Sequence, residues 1–176
     1  MPKLTESELQ TFLEEPGHLA RIATLDPDGM PRVLPLWFIL DNNRICFTPR
    51  SPAIIWKNLL RDPRLAISID EDPLPYRKVT VQGVVEVLHQ PGNDDAWRSL
   101  YRSIAKRYTA PEAADAYVDG TDDQPRALCA ISLSAPTTKV STWRMPLPGE
   151  NPTGIWHPRY FGEGTKMAKL VEGSRS

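Results

Sequence analysis

The residues best placed to do chemistry lie in the segment Thr48-Pro49-Arg50-Ser51-Pro52. Ser51 is a good N-cap and Pro52 a favoured first helical residue, so the pattern predicts a helix from Pro52 to about Leu60 or Arg61. The start of that helix would offer free backbone N–H groups and a positive dipole end beside Arg50, with the Thr48 and Ser51 hydroxyls nearby. Such a cluster suits a phosphate. Pro52 removes one donor, however, and the competing reading makes Arg50 a solvated loop residue.

Strands must position this segment. His18 to Leu25 alternates as a strand does, and Asp26-Pro-Asp-Gly29 is a turn in which Pro presets φ and Gly accepts a positive one. Arg32 to Leu40 is apolar on both faces and predicts burial on two sides, one filling a barrel interior and the other meeting a second subunit or a bound ligand. Pro35 within it marks a bulge or a stretch of unpaired backbone, which a flat heteroaromatic ring could use. The turn Asp41-Asn-Asn43 leads into a third strand, Arg44 to Thr48, and Arg64 to Asp70 gives a fourth. After the acidic, Pro-containing loop from Glu71 to Pro75, Tyr76 to Leu88 forms one long fifth strand, and Gly83 inside it implies a bulge or a close approach.

The segment beginning at Pro91 to Asn93 places Trp97, Leu100, Tyr101, Ile104, Ala105 and Tyr108 on one helical stripe, with Arg98, Arg102 and Lys106 on the other. A short helix from Pro111 to Tyr117, the acidic loop Asp119 to Gln124 and strand signals over Arg126 to Ser134 and Thr138 to Met145 follow.

This order of elements, with Phe47-Thr-Pro-Arg50, Asn58-Leu-Leu-Arg-Asp-Pro-Arg64 and Tyr76-Arg-Lys-Val-Thr-Val-Gln-Gly83, resembles the pyridoxamine 5'-phosphate oxidase-like superfamily. More narrowly it is similar to the flavin and deazaflavin oxidoreductase branch. The resemblance covers residues 18–88 well and 126–144 loosely. It implies a mainly β protein with flanking helices (α+β), a six-stranded antiparallel split β-barrel, and a homodimer with FMN or deazaflavin in clefts between the subunits. Carried over by position, Val33, Leu34, Pro35 and Trp37 flank the ring, while Thr48, Pro49, Arg50 and Ser51 lie at the phosphate. Lys57 and Asn58 line the cleft from the helix, and Val79 and Gln82 from the long strand.

The terminal strand of the fold reaches the same cleft, so Trp143 would stack on or gate the ring and Arg144 would meet phosphate or an acidic substrate. Core packing and a surface ion pair are the competing roles for these two. One departure stands out: family members commonly carry a basic residue three positions before Asn58, where this chain has Ile55. Lys57 lies about 200° further round the helix and does not substitute for it. Lys57 and Arg61 would instead form a solvated face, with Ile54, Ile55, Leu59 and Leu60 inward.

The function implied is a flavin-type oxidoreductase that binds FMN and moves hydride or electrons to or from a small organic substrate. Alternatives are a deazaflavin (F-420)-dependent reductase, a non-catalytic flavin or haem carrier, and a barrel that has lost its cofactor. No catalytic acid or nucleophile is recognisable. Trp37, Tyr76 and Trp143 are candidate substrate-side walls, and Tyr76 or a solvent molecule a candidate proton donor.

The 176 residues, 40% of them hydrophobic, suffice for one cofactor-binding domain over 1–145, aided by a dimer interface. Residues 146–176 form a Pro/Gly/aromatic tail, with Ile155, Trp156, Tyr160 and Phe161, expected to pack on the dimer or the cleft mouth and to end in a frayed helix from Lys166. A net charge of −1, from 21 basic and 22 acidic residues, argues against a nucleic-acid or anionic-membrane binder. No apolar run approaches about 18 residues and the opening residues lack a signal-peptide core, so a cytoplasmic protein is expected. Cys46 and Cys129 read as small core hydrophobes. His18, His89 and His157 show no ligand spacing, so no metal site is expected, although His157 could serve as an axial haem ligand. There is no Gly-x-Ser-x-Gly elbow, and Gly162-Glu-Gly-Thr-Lys166 is too short for a phosphate loop.

Overall fold

The computed structural model describes residues 2–150 and 162–173, so Ile155, Trp156, His157, Tyr160 and Phe161 lie outside the described residues. The chain is mainly β with a few helices. The strands are β1 (Ala20–Leu25), β2 (Pro31–Leu36), β3 (Phe38–Asp41), β4 (Arg44–Phe47), β5 (Arg64–Asp70), β6 (Lys78–Val84), β7 (Glu86–His89), β8 (Leu128–Ser132) and β9 (Lys139–Trp143). The helices are α1 (Glu6–Glu14), α2 (Ile54–Arg61), α3 (Arg98–Lys106), α4 (Pro111–Asp119) and α5 (Lys166–Gly173). Two antiparallel sheets result, one of five strands in the order β2-β1-β5-β6-β9 and one of four in the order β3-β4-β8-β7. That arrangement is consistent with a split barrel.

Nine strands are described where the resemblance implies six; the seven strand runs read from the sequence become nine because two apolar runs change sheets partway. Arg32 to Leu40 divides at Trp37 into β2 of the larger sheet and β3 of the smaller, and Tyr76 to Leu88 divides at Val85 into β6 and β7. Its first part is therefore not buried on two sides: Leu34 and Leu36 pack against the core, while Val33 is 58% exposed. As an edge strand, β2 tolerates Pro31 and Pro35, whose missing N–H groups face no neighbour, and no bulge is needed. At Gly83 the expected close approach is found: a Cβ there would lie 3.0 Å from Ile131 Cδ1 and 3.1 Å from Thr138 Oγ1. The turn before β2 also forms as its composition predicts, with Gly29 at φ 85° and its N–H donating to Asp26 O at 2.9 Å.

Burial on two faces belongs instead to the four-stranded sheet. Along β4 and β8, Ile45, Phe47, Cys129 and Ile131 face a core shared with Ile22, Phe38, Ile67, Val79 and Val81, while Cys46, Leu128 and Ala130 face Trp97, Tyr101, Ala105, Ala114 and Val118 from the α3–α4 side. Both thiols are fully buried and unpaired, and burial pushes Cys46 up to about 11 and Cys129 to about 12.

An N-terminal helix adds to the expected elements. Thr5 and Glu8 form a reciprocal capping box at its start, and it buries Phe12 and Leu13 in the main core. Arg77 ties its end to the loop after β5, donating to Glu15 at 2.7 and 2.8 Å and to Glu71 at 2.6 and 2.9 Å. These hydrogen bonds hold both carboxyls below the ordinary glutamate value. The folded state thus favours ionised Glu15 and Glu71. The stabilisation is complete above the unfolded value of about 4.3 and is lost as pH falls through the lower folded values. Glu71→Gln is expected to lower the melting temperature at neutral pH and to flatten its fall between about pH 5 and about pH 3, read by thermal melts across that window.

Candidate functional site

The site is built where β4 ends. Beyond Phe47 the chain passes through buried Thr48 and Pro49 to Arg50, which bridges Arg126 just before β8. Ser51 N–H donates to Pro125 O at 2.9 Å and Ala127 N–H to Pro49 O at 3.0 Å, so this segment is laced to residues 125–127. That lacing corrects the expected helix start. Ser51 and Pro52 stay in a turn, Ala53 takes the cap position without a side-chain hydrogen bond, and α2 begins at Ile54. Donors for an anion here come from side chains more than from a helix terminus, because the Ser51 and Ala53 N–H groups already bond carbonyls.

Two pockets flank the segment. In one, of about 390 Å³, Arg50, Ser51 and Pro52 face Asp123, Gln124 and Pro125. In the other, of about 200 Å³, Pro35, Leu36, Trp37 and Thr48 meet Tyr101, Tyr117 and Arg126. Trp37 stacks on Tyr108 with centroids 5.1 Å apart and meets Tyr117 edge-on at 5.5 Å. The Tyr108 hydroxyl fixes this wall, donating to His18 O at 2.7 Å and accepting from Phe38 N–H at 3.0 Å.

Two arginines converge on one phenol. Arg50 Nη2 donates to Tyr117 Oη at 3.3 Å and Arg126 Nη2 at 3.0 Å, and the Arg126 guanidinium lies 4.7 Å from the Tyr101 ring centroid. Burial alone would raise the Tyr117 phenol; the Tyr101 hydroxyl and the Arg50 and Arg126 guanidiniums outweigh it and bring it below the ordinary tyrosine value. Tyr101 goes the other way, raised by burial first and by Tyr117 second. The corner holds the guanidiniums of Arg50 and Arg126 among aromatic side chains. It is suited to a flat, anionic molecule.

Of the residues singled out in the sequence, Pro35, Trp37 and Thr48 share the aromatic pocket, and Arg50 and Ser51 its neighbour, with Pro49 buried between them. Val33 and Gln82 lie elsewhere, with Arg21, Ala23, Ser68 and Thr80 in a groove of about 380 Å³ on the outer face of the larger sheet. Leu34 and Val79 point inward to the core. Lys57 is exposed, whereas Asn58 is fully buried and donates to Thr24 Oγ1 at 3.2 Å and Asp26 Oδ1 at 2.8 Å. Ile55 is a core residue, while Ile54 and Leu60 stand exposed rather than inward.

Tyr76 is 44% exposed in the loop before β6. Trp143 packs under Lys78 Nζ at 5.4 Å, and Arg144 is buried and paired with Glu150 at 2.8 Å, so all three stand apart from the pocket. Tyr101, Tyr117 and Arg126 had no spacing signal, since they come from two helices and a strand start that meet only in the fold. Among the described residues, Glu15, His18 and Glu71 form the single cluster of metal-ligand type, and Arg77 already occupies both carboxylates.

The two antiparallel sheets are consistent with a split-barrel fold. The pyridoxamine 5'-phosphate oxidase family model matches residues 5–135, and the chain belongs to that family. A conserved hypothetical protein from Mycobacterium tuberculosis superposes with a TM-score of 0.66 at 22% identity, covering 94% of this chain and 95% of that one. An F420 reductase matches at 26% identity with a TM-score of 0.54, covering 79% and 98%. HutZ, the haem storage protein from Vibrio cholerae, matches at 19% identity with a TM-score of 0.57, covering 77% and 94%. No curated protein matches the sequence. Among the described residues, no helix is long and apolar enough to cross a membrane.

Proposed function

We propose that this chain is a homodimeric, cytoplasmic flavin-type oxidoreductase that binds FMN and exchanges hydride or electrons with a small organic substrate. The observation that carries the reading is the Arg50 corner. Its guanidinium has no carboxylate within ion-pair distance among the described residues and stands beside Ser51 at a pocket mouth, next to the aromatic wall of Trp37. A phosphate-bearing flat ring fits that donor set. Arg50 would hold the phosphate with the Ser51 and Thr48 hydroxyls, and Pro35 and Trp37 would border the ring.

When bound, the ring supplies the redox chemistry, accepting and returning hydride. The chain's own residues orient and enclose it. Buried Thr48 and the Trp37–Tyr108 stack fix one wall, and exposed Val33 and Val84 on the larger sheet give a second copy an apolar surface to cover. Buried free thiols suit the reducing cytoplasm.

Deazaflavin is the second reading, favoured by the 26% identity to an F420 reductase and by Ile55 in place of a basic residue. A haem carrier is the third, resting on fold likeness alone. Separate titrations with FMN, coenzyme F-420 and haem, followed by absorbance, decide among them. Saturable FMN binding is expected, and Arg50→Ala should weaken it about tenfold or more, the cost of one charged hydrogen-bonding partner. Unchanged affinity in Arg50→Ala would remove the phosphate assignment, and exclusive F-420 binding would promote the second reading.

A further inference from the structure

Arg126 is held unlike the other sequestered arginines. Arg77 is paired with Glu15 and Glu71, Arg144 with Glu150, and Arg107 donates to the carbonyls of Leu13, Glu14 and Glu15. Arg126 is 7% exposed, yet its guanidinium hydrogen-bonds only the Tyr117 hydroxyl and, at 3.4 Å, Thr48 O, and otherwise lies over the Tyr101 ring at 4.7 Å; its Nε lacks a partner, as the Nε atoms of Arg107 and Arg144 do. The nearby Asp94 carboxylate is engaged by the Arg126 backbone N–H at 2.9 Å and makes no ion pair with the side chain. A buried cation without an opposite charge is costly, and such a group is usually completed by one.

The pocket that Arg126 lines says what completes it. A guanidinium fork matches the two oxygens of a planar carboxylate, and the aromatic side chains of Trp37, Tyr101 and Tyr117 line the space around a small conjugated body. Size agrees, since a cavity of roughly 150 Å³ takes a benzene ring and this one measures about 200 Å³. Phosphate is the poorer match: it needs more donors than one fork, and Arg50 and Ser51 supply them in the adjoining pocket.

We infer that the Arg126, Tyr101 and Trp37 pocket binds a small planar carboxylate through Arg126, and that aromatic or conjugated carboxylates are the substrate class. The binding claim stands on this pocket; its being a substrate rests on the oxidoreductase reading above.

Benzoate is the probe. Calorimetric titration of the full-length protein without FMN should show saturable benzoate binding, with the neutral isostere benzamide at least about tenfold weaker. Arg126→Met should reduce benzoate affinity by about tenfold or more with its melting curve still cooperative. The benzamide comparison needs no variant, so a misfolded Arg126→Met leaves the test intact. Absence of benzoate binding, equal binding of benzamide, or displacement of benzoate by inorganic phosphate at comparable concentration overturns the inference. Because Trp37 also borders the proposed ring, the titration without FMN decides: no benzoate binding there sinks this inference alone, whatever FMN does, and benzoate binding without FMN binding sinks only the cofactor reading.

Discussion

Phe47→Ala is expected to lose about 3–5 kcal/mol of unfolding free energy, the usual cost of emptying a fully buried phenylalanine site. Phe47 has no exposed surface, pairs in register with both Phe38 and Cys129, and sits between the sheets where collapse onto the vacated space is restrained from two sides. Urea unfolding should show the loss as a lower midpoint at unchanged slope. A loss under about 1 kcal/mol would mean that the two sheets can close over the cavity, contrary to the rigid packing described.

Asn58→Leu is expected to cost about 2–4 kcal/mol, for a different reason. The Asn58 amide donates to Thr24 and Asp26, and its oxygen accepts from Arg61 at 3.2 Å. Arg61 in turn donates to Leu25 O, so one amide fastens α2 to the end of β1 and the following turn. Leucine has similar volume but leaves the buried Thr24 hydroxyl without its donor and removes one bond each from Asp26 and Arg61. Denaturant unfolding measures the loss, and FMN affinity of the folded fraction should be unchanged because the side chain is consumed within the protein. Loss of FMN affinity with normal stability would return Asn58 to the cleft.

Much of the fold was legible because period-two alternation and turn chemistry are local. The Asp26–Gly29 turn, β5, α4 and the Gly83 contact all follow from short-range pattern, and the family resemblance rested on those of them within residues 18–88. What local pattern cannot report is which sheet a strand joins. Arg32 to Leu40 carries one continuous apolar signal, yet Trp37 turns the chain from one sheet into the other, so its two halves face different surroundings. Ser51-Pro52 is a sound helix start by propensity, and pairing of that segment with residues 125–127 overrode it. The capping box Thr5-x-x-Glu8 was a local signal for α1 that strand patterning alone passes over. The aromatic pocket was half legible: Pro35, Trp37 and Thr48 lie in the run that carries the resemblance, whereas Tyr101, Tyr117 and Arg126 arrive from distant chain by tertiary packing.

The strand order of the smaller sheet has a consequence for synthesis. β4 lies between β3 and β8, so Ile45, Cys46 and Phe47 acquire their second neighbour only when the chain has been made as far as Ser132. At about 5–20 residues per second, a ribosome would leave this strongly apolar edge waiting on the order of ten seconds. During that interval the nascent chain presents an unpaired hydrophobic strand, the kind of template on which intermolecular pairing starts. Yield of the native protein should therefore depend on how fast the stretch between β4 and β8 is translated and on chaperones that shield it, even though the finished sheet hides both of its faces.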